Sequence, residues 1–192
     1  MLLPPILRGR GHEVRGVIRN PDQAEDLRRA GAEPVVCDIE AVDDISDAVG
    51  SADAVVFAAG AGPGSGAARQ WAVDRDGALD KTADLRDDIT LKLIEAAKKN
   101  GIRRYVMISA MGVDEPRGDA VFQAYSRAKA EADQALRESG LDWTIIRPGR
   151  LTDEPGRGRV ALAPSLPAGE VPRADVAAVL AEVLETPAST GH

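Results

Sequence analysis

At 192 residues, with 44% apolar and 29% charged residues, the chain has the length of one domain and the make-up of an ordinary globular protein. A net charge of −7 disfavours nucleic acid and anionic membranes as partners, and no apolar run nears the ~20 residues of a membrane span or reads as a signal peptide, so a cytoplasmic protein is expected. The single cysteine, Cys37, excludes an intrachain disulfide, and His12 and His192 are too few for a histidine metal site or a Ser-His-Asp triad, so no metal is expected.

The elements alternate. Residues 1–11 read as the tail of a helix, with Leu2, Leu3, Ile6 and Leu7 at helical spacing and Gly9 and Gly11 to end it. Pro4 and Pro5 fit only a first turn. Residues 13–18 read as a strand ending at Arg19. Asn20 then caps a helix that starts at Pro21 and closes at Gly31. Residues 33–37 form the next strand, ending at Asp38, and 43–49 a short helix. The nearly continuous apolar run 54–59 predicts a central parallel strand. It leads into the one glycine-rich loop, 60–66. A helix is expected from about Asp74 to Gly101, with a break near 81–88. Residues 103–109 form a strand, and a helix holding Tyr125 to Lys129 follows. Another strand covers 143–146. Residues 151–172 are rich in Pro and Gly and read as loop, with one short strand at 159–162. Val176, Val179, Leu180, Val183 and Leu184 define a final helix. Strands alternating with helices predict one domain over 1–192: an α/β, doubly wound parallel sheet with helices on both faces.

The chemistry concentrates between Arg103 and Lys129. The strand stops at Ser109, where a hydroxyl can hydrogen-bond a carbonyl or alcohol oxygen. Tyr125 and Lys129 are four apart, so on a helix they share a face. An ammonium beside a phenol favours the phenolate and draws its pKa down from about 10, which makes the phenol a usable general acid and base.

Ser109, Tyr125-x-x-x-Lys129 and Trp143-Thr144-Ile145-Ile146-Arg147-Pro148-Gly149 resemble the short-chain dehydrogenase/reductase superfamily, and within it the atypical, NmrA-like NAD(P)H-binding branch. The resemblance runs from Gly11 to about Leu184. It implies a Rossmann-like fold, NAD(P)H as cofactor, a small-molecule substrate, and Ser109, Tyr125 and Lys129 as the catalytic set. It also implies cofactor contacts from Ser109, from Lys129 on the nicotinamide ribose, from Ala59 and Gly60 after the third strand of this chain, and from Pro148 and Gly149 beside the nicotinamide. Asp38 would meet the adenine. Arg19, where an acidic residue would bind the ribose hydroxyls of NAD, suits the extra phosphate of NADP, so NADPH is favoured over NADH. Trp71 and residues 151–169 are candidates for lining a substrate cleft. A homodimer is one assembly compatible with the resemblance.

The sequence departs from the pattern in three places. Ala110 follows Ser109 where a second serine is usual, and Ser109 stands sixteen residues before Tyr125, slightly more than usual. The G-x-G-x-x-G turn that would hold the cofactor pyrophosphate after a first strand is not found; Gly9 and Gly11 end the first helix rather than open it. The pattern places a strand and glycine turn ahead of Met1, with that strand between 13–18 and 54–59. The first expectation is an NAD(P)H-dependent oxidoreductase acting on a small carbonyl or alcohol. Its rivals are a non-catalytic NAD(P)-binding redox sensor and a truncated product that binds no cofactor.

Overall fold

The computed structural model describes residues 1–58, 79–116 and 120–192; over 79–88, 120–122 and 124–125 it describes the course of the backbone alone. The helices are α1 (Leu3–Gly9), α2 (Ala24–Arg29), α3 (Ser46–Val49), α4 (Leu79–Lys99), α5 (Ala120–Glu138) and α6 (Arg173–Glu185). The strands are β1 (Arg15–Ile18), β2 (Glu33–Val36), β3 (Ala54–Phe57), β4 (Arg104–Ile108), β5 (Asp142–Ile146), β6 (Arg150–Thr152) and β7 (Glu170–Pro172). Every strand pairing among the described residues is parallel.

The strand β4 organises the core. It lies between β3 and β5, with Val56 opposite Val106 and Val106 opposite Thr144. Its side chains alternate between faces, as strand geometry requires. Tyr105 and Met107 pack with Leu93, Ile94 and Ala97 of α4 and Ala132 and Leu136 of α5. Val106 packs on the other side with Val176 and Leu180 of α6. A strand buried on both faces needs a continuous apolar run, and Tyr105-Val106-Met107-Ile108 supplies it. With parallel strands and helices on both faces, the fold is α/β and Rossmann-like.

Local chemistry explains the starts and stops. Pro4 and Pro5 stand in the first turn of α1, where a missing N–H costs nothing. The Asn20 side chain accepts a hydrogen bond from the Asp22 N–H at 3.0 Å and opens a 3-10 turn, Pro21–Gln23, ahead of α2. Gly31 ends that segment at φ +85°, a conformation that costs other residues energy.

Three expectations are corrected. The helix α4 runs unbroken from Leu79 to Lys99, through the region expected to break. Residues 81–88 contain no proline or glycine, so nothing there stops a helix. There is no strand at 159–162; the two short strands lie at the ends of the loop, where Leu151 pairs with Val171. And β3 is not central. It pairs with β4 on one side only, while β1 and β2 form a separate two-stranded sheet. A cleft of about 1320 Å³ lies between these sheets, lined by Val14 and Val17 on one wall and Val55 and Phe57 on the other. The facing edges of β1 and β3 have no strand partner among the described residues. Backbone groups along such edges are open to further pairing.

Tyr105 is fully buried, and its hydroxyl has no hydrogen-bond partner among the described residues. Burial pushes its phenol well above the usual tyrosine range, so it stays neutral. An unsatisfied buried hydroxyl costs about 1–3 kcal/mol. Tyr105→Phe should therefore raise stability by about 1 kcal/mol, or about 2–4 °C in Tm for a chain of this size. Calorimetry decides; a lower Tm would mean that the hydroxyl is satisfied after all.

Candidate cofactor and active site

Two groups of polar residues stand at the carboxyl ends of the strands, the position where open parallel sheets bind ligands. The first is built on β4, α5 and β5. Ser109 follows β4 directly. Its N–H donates to the Ile146 carbonyl at 2.8 Å, fixing it against the end of β5. The residue is 5% exposed, and Oγ has no partner among the described residues. A buried hydroxyl without a partner is costly, and such groups call for explanation by a function or a bound polar molecule.

Lys129 lies on α5, and its Nζ donates to the Ile108 carbonyl at 3.2 Å, one residue before Ser109. The lysine is thus brought to the end of β4. Tyr125 lies one helical turn before Lys129 on α5, and its side chain is outside the described residues. The turn Pro148–Gly149 closes the group: the Met111 N–H donates to the Pro148 carbonyl at 3.1 Å. Gly149 has a structural reason of its own. A Cβ there would stand 2.3 Å from the Gly169 carbonyl oxygen, so only glycine allows the chains to approach.

Arg147, which sequence reasoning left unassigned, ties these parts together. Nε and Nη2 reach the same oxygen of Asp133 at 2.8 and 2.7 Å. Nη1 and Nη2 reach the two oxygens of Asp114, the latter at 3.0 Å. Asp133 is fully buried on α5, while Asp114 is largely exposed in the loop after Ser109. Hydrogen bonding from Arg147 holds the Asp114 carboxyl below its usual range. A carboxylate of lowered pKa contributes stability above its unfolded value and loses it as pH falls through the folded one. This link therefore contributes at neutral pH and is lost as pH falls through the lowered Asp114 value.

The second group sits on β1 and β2. Arg19 follows β1, and its guanidinium pairs with Glu40 at 3.2 Å. Asp38 accepts the Glu40 N–H at 3.1 Å, a tight turn rather than a helix cap, since α3 begins only at Ser46. Glu40 was missed in the sequence because its part depends on the fold bringing the ends of β1 and β2 together. Ala59, Gly60 and the rest of the glycine-rich loop lie outside the described residues, as does Trp71.

A family pattern described as NAD(P)H-binding matches residues 2–187. The chain belongs to this family. It is 38% identical over 168 residues to a protein of Bacillus subtilis named as the uncharacterized sugar epimerase YhfK, covering 86% of this chain and 73% of that one. A solved structure described as a putative NAD-dependent epimerase/dehydratase from Bacillus halodurans is 37% identical, with a TM-score of 0.82, covering 98% of this chain and 84% of that one. A short-chain dehydrogenase/reductase of Veillonella parvula, solved in complex with NADP, shares the fold at 18% identity and a TM-score of 0.67, covering 96% of this chain and 81% of that one.

The family's cofactor is compatible with both groups. The Ser109 hydroxyl, without a partner among the described residues, and Lys129, brought to the residue before it, offer polar atoms at one set of strand ends. Arg19 offers a cation at the other. Among the described residues no helix is long and apolar enough to cross a membrane.

Proposed function

We propose that the chain is an NAD(P)H-dependent oxidoreductase that interconverts a small carbonyl compound and its alcohol. The observation that carries this reading is the Ser109 hydroxyl, buried and without a partner among the described residues, with Lys129 brought to the residue before it, one helical turn from Tyr125. The bound cofactor supplies or accepts the hydride. Ser109 donates a hydrogen bond to the substrate oxygen and fixes its position. Tyr125 gives that oxygen a proton in reduction and removes it in oxidation. Lys129 favours the tyrosinate through its charge. Pro148 and Gly149 form the rigid turn beside this group, and Ala59 and Gly60 complete the cofactor contacts in the proposed arrangement.

NADPH is the proposed cofactor form, with Arg19 binding the extra phosphate and Asp38 the adenine. Glu40 modifies this reading, because its carboxylate holds Arg19 and would face the same phosphate. Arg19→Ala should weaken NADPH binding about tenfold and leave NADH nearly unchanged, since one charge-assisted bond to phosphate is lost. Glu40→Gln should tighten NADPH binding by freeing the guanidinium. Titrations of both cofactors by tryptophan fluorescence or calorimetry test this. Equal loss of NADH and NADPH in Arg19→Ala would remove Arg19 from phosphate recognition. Binding with no NADPH oxidation across a panel of aldehydes and ketones would favour the rival, a cofactor-binding sensor in which Ala110 and the wider Ser109–Tyr125 spacing mark a lost activity.

A further inference from the structure

The candidate site is assembled from three pieces of chain: the loop after Ser109, the helix of Tyr125 and Lys129, and the turn at Pro148–Gly149. None of these is continuous with another. Each must hold its place to within a fraction of an ångström for proton and hydride to move in concert. Backbone hydrogen bonds join the first piece to the third, through Ser109 to Ile146 and Met111 to Pro148. The Lys129–Ile108 contact is one link to the second. The residue that touches all three is Arg147.

We propose that Arg147 is a positioning residue that locks the Ser109 loop and the Tyr125–Lys129 helix onto the Pro148 turn, through Asp114 and Asp133. The proposal rests on the oxidoreductase reading for its consequence, though not for its geometry. Asp133 stands four residues after Lys129 and eight after Tyr125, on the same helical stripe. Gripping Asp133 therefore sets the rotation of the stripe that carries the proposed acid and its activator. Asp114 stands five residues after Ser109, so gripping it closes the loop. The guanidinium is a planar fork with donors on two sides, and here all three nitrogens are engaged. A lysine has one charged atom and no fork, so it cannot hold both carboxylates in this geometry.

The buried arm is a poor place for the first test, because losing it could unfold the protein. The exposed arm is suitable. Asp114 is 63% exposed, so Asp114→Asn should leave Tm within about 1 °C. It should nevertheless speed hydrogen exchange at the Met111 amide about tenfold or more, as the loop opens more often. Asp114→Glu, which keeps the charge, should restore much of the protection. For a carbonyl substrate, Asp114→Asn should lower kcat about tenfold with NADPH affinity within threefold, the split expected of misplacement rather than lost binding. Unchanged exchange at Met111 in both Asp114→Asn and Arg147→Lys would overturn the proposal and leave an ordinary surface ion pair. A fall in Tm with no local change would mean general stabilisation instead. If the wild-type protein fails to bind NADPH, the oxidoreductase reading falls, and the exchange data still decide whether Arg147 holds the loop.

Discussion

Tyr125→Phe is expected to cut turnover of a carbonyl substrate by about 10²–10⁴-fold, the usual worth of a positioned general acid. NADPH binding should stay within about twofold, because the change removes one oxygen from the side chain proposed to meet the substrate. The reasoning begins with the helix. Tyr125 and Lys129 both lie on α5, four residues apart, and Lys129 reaches back to the Ile108 carbonyl. Ser109 follows on the same strand end with a buried hydroxyl that finds no partner among the described residues. The chain's other tyrosine cannot substitute, since Tyr105 is sealed in the core and held neutral by burial. Single-turnover measurements with NADPH and an aldehyde panel separate the outcomes. Unchanged turnover in Tyr125→Phe would take Tyr125 out of the reaction, whereas loss of both binding and turnover would point to a structural role.

The parts of this protein that were legible in the sequence are those written in local periodicity. The apolar run before Ser109 announces a strand, and β4 is that strand, with its burial on both faces supplied by the fold. The four-residue step from Tyr125 to Lys129 needs only a helix to become a shared face. Pairings across the chain left no such signal. Arg147 and Asp114 are 33 residues apart, and Arg19 and Glu40 are 21 apart. Both pairs form because the fold brings together the carboxyl ends of neighbouring elements, which a window of a few residues cannot show. The strands β6 and β7 were invisible for another reason. Three residues each, at the ends of a Pro- and Gly-rich loop, are too few to establish a period. The position of β3 depended on what lies beside it. Its apolar sequence fits a strand with neighbours on both sides, yet one edge faces the cleft opposite β1.

Arg147→Leu is expected to destabilise the fold by about 3–5 kcal/mol, the cost of stranding one member of a buried ion pair. In the wild-type protein one Asp133 oxygen accepts from both Nε and Nη2 of Arg147, and the other has no partner among the described residues. Asp133 is fully buried, so removing the guanidinium leaves a carboxylate with neither water nor cation. Asp114 loses its partner as well, but water solvates it and the cost is small. At about 2–4 °C per kcal/mol, Tm should fall on the order of 10 °C. The decisive control is the double variant Asp133→Leu with Arg147→Leu. Replacing both partners removes the stranded charge, so most of the lost stability should return. A double variant as unstable as Arg147→Leu alone would show that the guanidinium matters for packing rather than for the charge it neutralises. If stability returns while exchange at Met111 stays fast, holding the fold together and holding the site in register are separate tasks of the same side chain.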